Sequence, residues 1–144
     1  MPKIAIIYGS GLGRTKKMAE AIANGAMTIQ GVDVLLKDAY DASPNDVADA
    51  DAVVLGGSTY NYKLIKSMDP VLKEMAKLDL KGKVGAAFGS HGWSGEGVPT
   101  LIARMKSFGM KVIEPGTTAI QVPTKEDIER CFILGRTIAT GLMN

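Results

Sequence analysis

Short apolar runs alternate with amphipathic stretches along the whole chain. The runs lie at Ile4–Tyr8, Val32–Leu36, Ala52–Gly56, Val84–Phe88 and Lys111–Ile120. The first, third and fourth runs are apolar on both alternating faces, which is typical of parallel strands that are buried between two layers of helices. The second run alternates only in part, as an edge strand does. The pattern therefore predicts five strands.

The segments between these runs place apolar residues at helical spacing. A helix is predicted over Lys16–Ile29, and the spacing of Thr124 and Asp127 predicts a capping box at the start of the last helix. The other predicted helices cover Asp46–Ala50, Pro70–Leu78 and Pro99–Phe108. Because strands and helices alternate throughout, we predict a single doubly wound α/β domain over residues 1–144, with helices on both faces of a parallel sheet.

Composition and charge exclude several classes of protein. The chain has 17 Lys and Arg against 15 Asp and Glu, and these cations are scattered, so nothing demands nucleic acid as a partner. No apolar run approaches the roughly 20 residues that a membrane helix needs. The chain also starts with a strand pattern and not with a charged leader, so we expect no membrane span and a cytoplasmic location.

The last predicted helix holds the one cysteine, Cys131. Since it lies in a helical pattern with no cysteine to pair with, we expect a buried and unreactive thiol. The residues that this helix is expected to bury are Ile128, Phe132, Gly135, Ile138 and Leu142.

The loop after the first predicted strand has the features of a phosphate site. Ser10–Thr15 combines glycines and hydroxyls and leads directly into a helix, whose N-terminal N–H groups and dipole favour an anion. The glycine spacing is not that of a dinucleotide fingerprint. A Walker A loop is excluded too, because Tyr8 and Arg14 stand where its first glycine and its lysine belong.

Two later loops point to a flat ring. Gly56–Tyr62 follows the third strand and Gly89–Glu96 follows the fourth, and both combine glycine, hydroxyls and an aromatic residue. Loops after parallel strands meet at the carboxyl edge of a doubly wound sheet. An aromatic side chain can stack on a heteroaromatic ring, and the backbone donors and acceptors of a loop can bind the polar edge of that ring. The three loops therefore predict a mononucleotide with a large flat base.

The motifs Tyr8–Ala19, Gly57–Asn61 and Phe88–Glu96 resemble those of flavodoxins, and in particular of the FMN-binding domain of A-type (flavodiiron) flavoproteins. The resemblance implies a sheet in the order 2-1-3-4-5, FMN as the cofactor, and electron transfer between redox partner proteins. The di-iron centre of flavodiiron proteins belongs to a different domain. With His91 as its one histidine, the chain offers no His-rich metal site.

The resemblance also assigns the site, with no catalytic side chain, since the flavin itself supplies the chemistry. The residues implied to wrap the phosphate are Ser10, Gly11, Leu12, Gly13, Arg14 and Thr15. Those implied to line one side of the ring are Ser58, Thr59, Tyr60 and Asn61. Those implied to line the other side are Ser90, His91, Gly92, Trp93 and Gly95. Tyr60 is expected to stack on the ring, while His91 is either a bystander or a titrating group.

Two departures from the usual flavodoxin pattern affect the expected partners. Arg14 adds a cation beside the phosphate, and the net charge of +2 contrasts with the acidic character of many flavodoxins. We therefore expect partners with an acidic surface or docking through apolar contacts.

Two other functions stay open at this point. The first is an FMN-dependent NAD(P)H or quinone oxidoreductase on the same fold, which would need an open pocket above the ring. The second is a response-regulator-like signalling domain, which is disfavoured because Tyr8–Gly9 and Gly57–Ser58 stand where its acidic residues belong.

Overall fold

Five parallel strands form the central sheet of the computed structural model, which describes residues 1–144. The strands of the chain are β1 (Lys3–Gly9), β2 (Asp33–Asp38), β3 (Ala52–Gly57), β4 (Thr59–Tyr60), β5 (Lys63–Leu64), β6 (Val84–His91) and β7 (Lys111–Ile120). The main sheet has the order β2-β1-β3-β6-β7, and β4 pairs with β5 in a separate antiparallel hairpin. With the hairpin left out, this is the predicted order 2-1-3-4-5, and the predicted fold is confirmed.

Five α-helices and two short 3-10 turns connect the strands. The helices are α1 (Arg14–Ala26), α2 (Pro44–Ala48), α3 (Asp69–Met75), α4 (Gly97–Ser107) and α5 (Lys125–Met143), and the 3-10 turns are Ala39–Asp41 and Lys66–Met68. The predicted helices are present, with ends that differ by up to three residues. No helix has both the length and the apolar character that a bilayer span requires.

Strand β6 extends three residues beyond the predicted run, to His91. Its last residues pair with β7, with Ser90 opposite Ala119 and His91 opposite Ile120. Three residues assigned to a loop, Gly89, Ser90 and His91, therefore belong to the sheet, because pairing with a neighbouring strand continues after the apolar pattern has ended.

The sheet separates two apolar cores. Ile4 and Ile6 of β1 face one core and Ala5 and Ile7 face the other, as alternation along a strand requires. Helices α1 and α5 cover the first core, and α2, α3 and α4 cover the second. Complete burial of one such isoleucine stabilises the fold by about 1.5–3 kcal/mol.

A capping box starts α5, as predicted. The Thr124 N–H donates to the Asp127 carboxylate at 2.9 Å, and the Thr124 hydroxyl accepts from the Asp127 N–H at 3.2 Å. The hydrogen bond from the Thr124 backbone lowers the pKa of Asp127, and the ion pair with Arg130 acts in the same direction. The carboxylate is therefore held in the form that caps the helix.

Helices α1 and α5 meet backbone to backbone. A methyl group at Gly135 would lie 1.9 Å from the carbonyl oxygen of Ile22, and one at Gly25 would lie 1.9 Å from that of Phe132. Gly135 and Ile138 are buried as predicted, but Ile128, Phe132 and Leu142 are only half-buried. The backbone of Phe132 lies directly against Gly25 of α1.

We expect Gly135→Ala to lower the free energy of unfolding by about 2–3 kcal/mol, because the helices must move apart to admit the methyl group. Gly141→Ala is the matched control. Gly141 lies in the same helix, and a methyl group there would have no atom within 4 Å. That variant should gain about 0.5–1 kcal/mol from helix propensity. Urea unfolding of the two variants measures both effects, and equal stabilities would contradict this account of the helix contact.

Cys131 is fully buried in α5 among the residues of the core that α1 and α5 cover. Burial raises the pKa of its thiol to about 12. The predicted burial is confirmed, and because the thiolate is the reactive form, we expect the thiol to be unreactive in the folded protein.

Iodoacetamide at about pH 8 is therefore expected to label Cys131 roughly a thousandfold more slowly in the folded protein than in urea. Mass spectrometry of samples quenched over time gives both rates. Labelling of the folded protein at the rate of the unfolded chain would contradict the burial of this thiol.

Candidate functional site

The carboxyl ends of β1, β3 and β6 lie side by side, and the loops that follow them enclose a cleft of about 310 Å³. The residues that line it are Ser10, Gly11, Leu12, Arg14, Ser58, Thr59, Tyr60, Ile65, Ser90, His91 and Gly92. All of these except Ile65 were predicted as site residues. The three loops therefore converge as the sequence indicated.

One end of the cleft is the N-terminus of α1. Gly13 adopts a left-handed φ of 84° before the helix, and its N–H donates to the Ser10 hydroxyl at 3.0 Å. No side chain caps this helix and no acidic residue lies in its first turn. The helix start therefore carries an uncompensated partial positive charge, and Arg14 on the cleft wall adds a full one. This end fits a phosphate group.

Thr15 does not line the cleft. It is fully buried, its hydroxyl lies 3.2 Å from the Ser90 hydroxyl, and it accepts the Ser90 N–H at 3.3 Å. The pair joins the start of α1 to the end of β6. In this structure Thr15 therefore holds two walls of the cleft together.

The loop after β3 is a two-residue hairpin between β4 and β5. Asn61 and Tyr62 both have positive φ, at 53° and 63°, which is the conformation of a type I′ turn. Asn61 lies outside the cleft, on a neighbouring groove. Tyr60, which is 76% exposed, borders both the cleft and the groove.

A hydrogen bond fixes this hairpin to α4. The Thr59 hydroxyl accepts the N–H of Gly97, the first residue of the helix, at 2.8 Å. Gly97 is buried, so loss of this acceptor would leave its N–H poorly satisfied, at a cost in stability. The cleft wall that carries Thr59 and Tyr60 is therefore anchored on the helix.

The loop after β6 is only partly turned toward the cleft. His91 and Gly92 line it, whereas Trp93 is 91% exposed and lies outside it. Gly95 supports the histidine from behind, since a methyl group there would lie 3.1 Å from ring atom Cδ2. His91 Nδ1 is buried without a hydrogen-bond partner. Trp93 and Gly95 were predicted to line the site, and the structure places both outside the cleft.

Ile65 is the lining residue that sequence reasoning missed. It follows the hairpin and packs beside Gly9, where a methyl group would lie 2.9 Å from its Cγ2 atom. Its apolar side chain gives the cleft a surface that suits a flat ring. The hairpin that returns the chain to the end of β1 was not predicted, so the sequence did not indicate that Ile65 lies at the cleft.

The fold and cleft define a doubly wound α/β protein with a mononucleotide site at the carboxyl edge of its sheet. A family model described as flavodoxin matches residues 6–135. The chain therefore belongs to the flavodoxin family, and this confirms the family that the loop motifs resembled.

Individual relatives agree with this membership. A nitric oxide reductase of Moorella thermoacetica is 38% identical over 97% of this chain, and a flavodoxin of Aquifex aeolicus is 31% identical over 96% of this chain and 86% of its own length. A solved archaeal flavodoxin superposes with a TM-score of 0.93 at 36% identity, and the match covers 99% of each chain. The chain spans only 36% of the nitric oxide reductase that it matches.

We expect Thr59→Val to lower the free energy of unfolding of the cofactor-free protein by about 1–3 kcal/mol, because the buried Gly97 N–H loses its acceptor. Thr59→Ser keeps the hydroxyl and should retain most of the stability. Urea unfolding followed by circular dichroism compares the two. If Thr59→Val is as stable as the wild type, or loses no more stability than Thr59→Ser, the hydrogen bond to Gly97 does not stabilise the fold.

Proposed function

We propose that this chain holds FMN in the cleft and carries electrons between redox partner proteins. The observation that carries the proposal is the convergence of three loops on one cleft that ends at the uncapped N-terminus of α1. When bound, FMN supplies the redox chemistry, and the protein supplies binding, orientation and electrostatics. A cytoplasmic location stays a prediction, as does the assignment of residues 1–144 to a single domain.

At one end of the cleft, the first turn of α1 would donate backbone N–H groups to the phosphate. Anions at a helix N-terminus are stabilised by about 0.3–1 kcal/mol, and by about 2 kcal/mol in partly buried geometries. Arg14 and the Ser10 hydroxyl would add charge-assisted hydrogen bonds. Gly11 and Leu12 would act through their backbone N–H groups and Gly13 would shape the turn, whereas Thr15 would act indirectly, through its hydrogen bonds to Ser90.

At the other end, Tyr60, Ile65 and His91 would contact the flavin ring. These walls are largely apolar, so they disfavour a negative charge on the fully reduced cofactor and lower its potential. Ser58, Thr59 and Ser90 offer hydroxyls on the same walls. Asn61, Trp93 and Gly95 lie just outside the lining, where they would support or cover the ring.

The exposure of the cleft rim favours a carrier over a turnover enzyme. Leu12, Tyr60, Tyr62 and Trp93 are between 63% and 91% exposed. An exposed apolar rim suits transient contact with another protein. It offers little shelter for a small substrate above the ring.

We expect the purified protein to bind FMN and to turn yellow. Arg14→Gln should weaken FMN binding about tenfold and leave riboflavin binding unchanged, because riboflavin lacks the phosphate. Arg136→Gln, an exposed arginine of α5 outside the cleft, is the control for lost charge. Quenching of flavin fluorescence gives all the dissociation constants.

Either of two results would reject the proposal. The first is a wild-type protein that binds no FMN. The second is a holo-protein that oxidises NADPH with multiple turnovers but, once reduced, passes no electrons to a protein acceptor such as cytochrome c. That second result would favour an FMN-dependent oxidoreductase over an electron carrier as the function of this chain.

A further inference from the structure

A second groove lies next to the cleft. It has a volume of about 660 Å³ and runs between the β4–β5 hairpin, the start of α3 and the outer face of α4. The residues that line it are Tyr60, Asn61, Tyr62, Lys63, Leu64, Lys66, Asp69, Leu72, Glu96, Thr100 and Arg104. Tyr60 lines both the groove and the cleft, so the two adjoin at this side chain.

Three cations of the groove lack an ionic partner. Lys63, Lys66 and Arg104 are exposed, and the four ion pairs of the structure all lie elsewhere. The Arg104 guanidinium lies over the ring of Phe108, with 5.5 Å to its centroid, which orients it without neutralising it. These charges are therefore available to an incoming anionic group.

The two acidic residues of the groove offset this charge only in part. Asp69 is the first residue of α3 and Glu96 directly precedes α4, so both lie at the positive ends of helix dipoles. A helix dipole offsets part of a negative charge at this end. With three cations against two carboxylates, the groove keeps an excess of positive charge.

The exposed rings at the hairpin favour a protein as the occupant. Tyr60 is 76% exposed and Tyr62 is 63% exposed. Tyrosine and arginine are the residues that most often anchor protein interfaces, and complementary charge speeds the encounter of partners. A partner seated here would contact Tyr60 and so stand beside the cofactor cleft.

We propose that this groove is the docking site for an acidic segment of the partner protein that exchanges electrons with the cofactor. The proposal rests on the proposed function and adds to it the location and the charge of the partner surface. Lys63, Lys66 and Arg104 would pair with carboxylates of that segment, and the two tyrosines would pack against its apolar atoms.

The test uses FMN-loaded protein and a fluorescein-labelled oligo-glutamate peptide as the probe, with oligo-lysine as the control for charge sign. Fluorescence anisotropy at low ionic strength should show tighter binding of oligo-glutamate. The double variant Lys63→Glu/Lys66→Glu should weaken this binding about tenfold, whereas Lys63→Arg/Lys66→Arg should retain it.

A matched control separates a local effect from the effect of net charge. Lys81→Glu/Lys111→Glu changes the charge by the same amount at exposed positions before β6 and at the start of β7, at the opposite edge of the sheet. This variant should bind the probe nearly as well as the wild type. Equal loss in both double variants, or no preference for oligo-glutamate, overturns the docking site.

The flavin absorbance of the same samples keeps the two proposals apart. A yellow Lys63→Glu/Lys66→Glu protein that binds oligo-glutamate as the wild type does would overturn the docking site alone. Failure of the wild type to hold FMN would instead count against the proposed function.

Discussion

The structure of the carboxyl edge of the sheet depends on the absence of side chains near the ends of β1, β3 and β6. Gly9, Gly57 and Gly89 lie near the ends of these strands, and a methyl group at Gly89 would lie 2.1 Å from the carbonyl oxygen of Gly57. Methyl groups at Gly9 and Gly57 would each lie 2.4 Å from side chains of the segment after β3, at Ser67 and Leu64. Without side chains on the strand ends, that segment packs directly on the sheet and becomes one wall of the cleft.

The elements that sequence reasoning found are those set by local pattern. Apolar runs predicted every strand of the main sheet, since burial on both faces leaves a continuous signal. The order of the strands came from the resemblance of the loops, because periodicity does not report which strands are neighbours. The β4–β5 hairpin was missed because Asn61 is followed by Tyr62, where a type I′ turn usually has glycine.

The residues of the candidate site were likewise predicted only where local sequence determines them. Position after a strand correctly indicated most residues of the cleft, because parallel strands bring their carboxyl ends to one edge. It did not indicate which side chains turn inward. Thr15 bonds to Ser90 and Trp93 points to solvent, and these orientations are set by tertiary hydrogen bonds and by packing that a linear motif does not record.

The backbone contact between α1 and α5 links the phosphate end of the cleft to a helix that is distant in sequence. On the ribosome, residues 125–143 emerge after all the strands have been made, and until then α1 lacks the surface that fixes its position. The nascent chain can therefore assemble most of its sheet before the cleft reaches its final shape. A chain that has not yet made α5 would thus have its sheet without a fixed position for the helix that forms one end of the cleft.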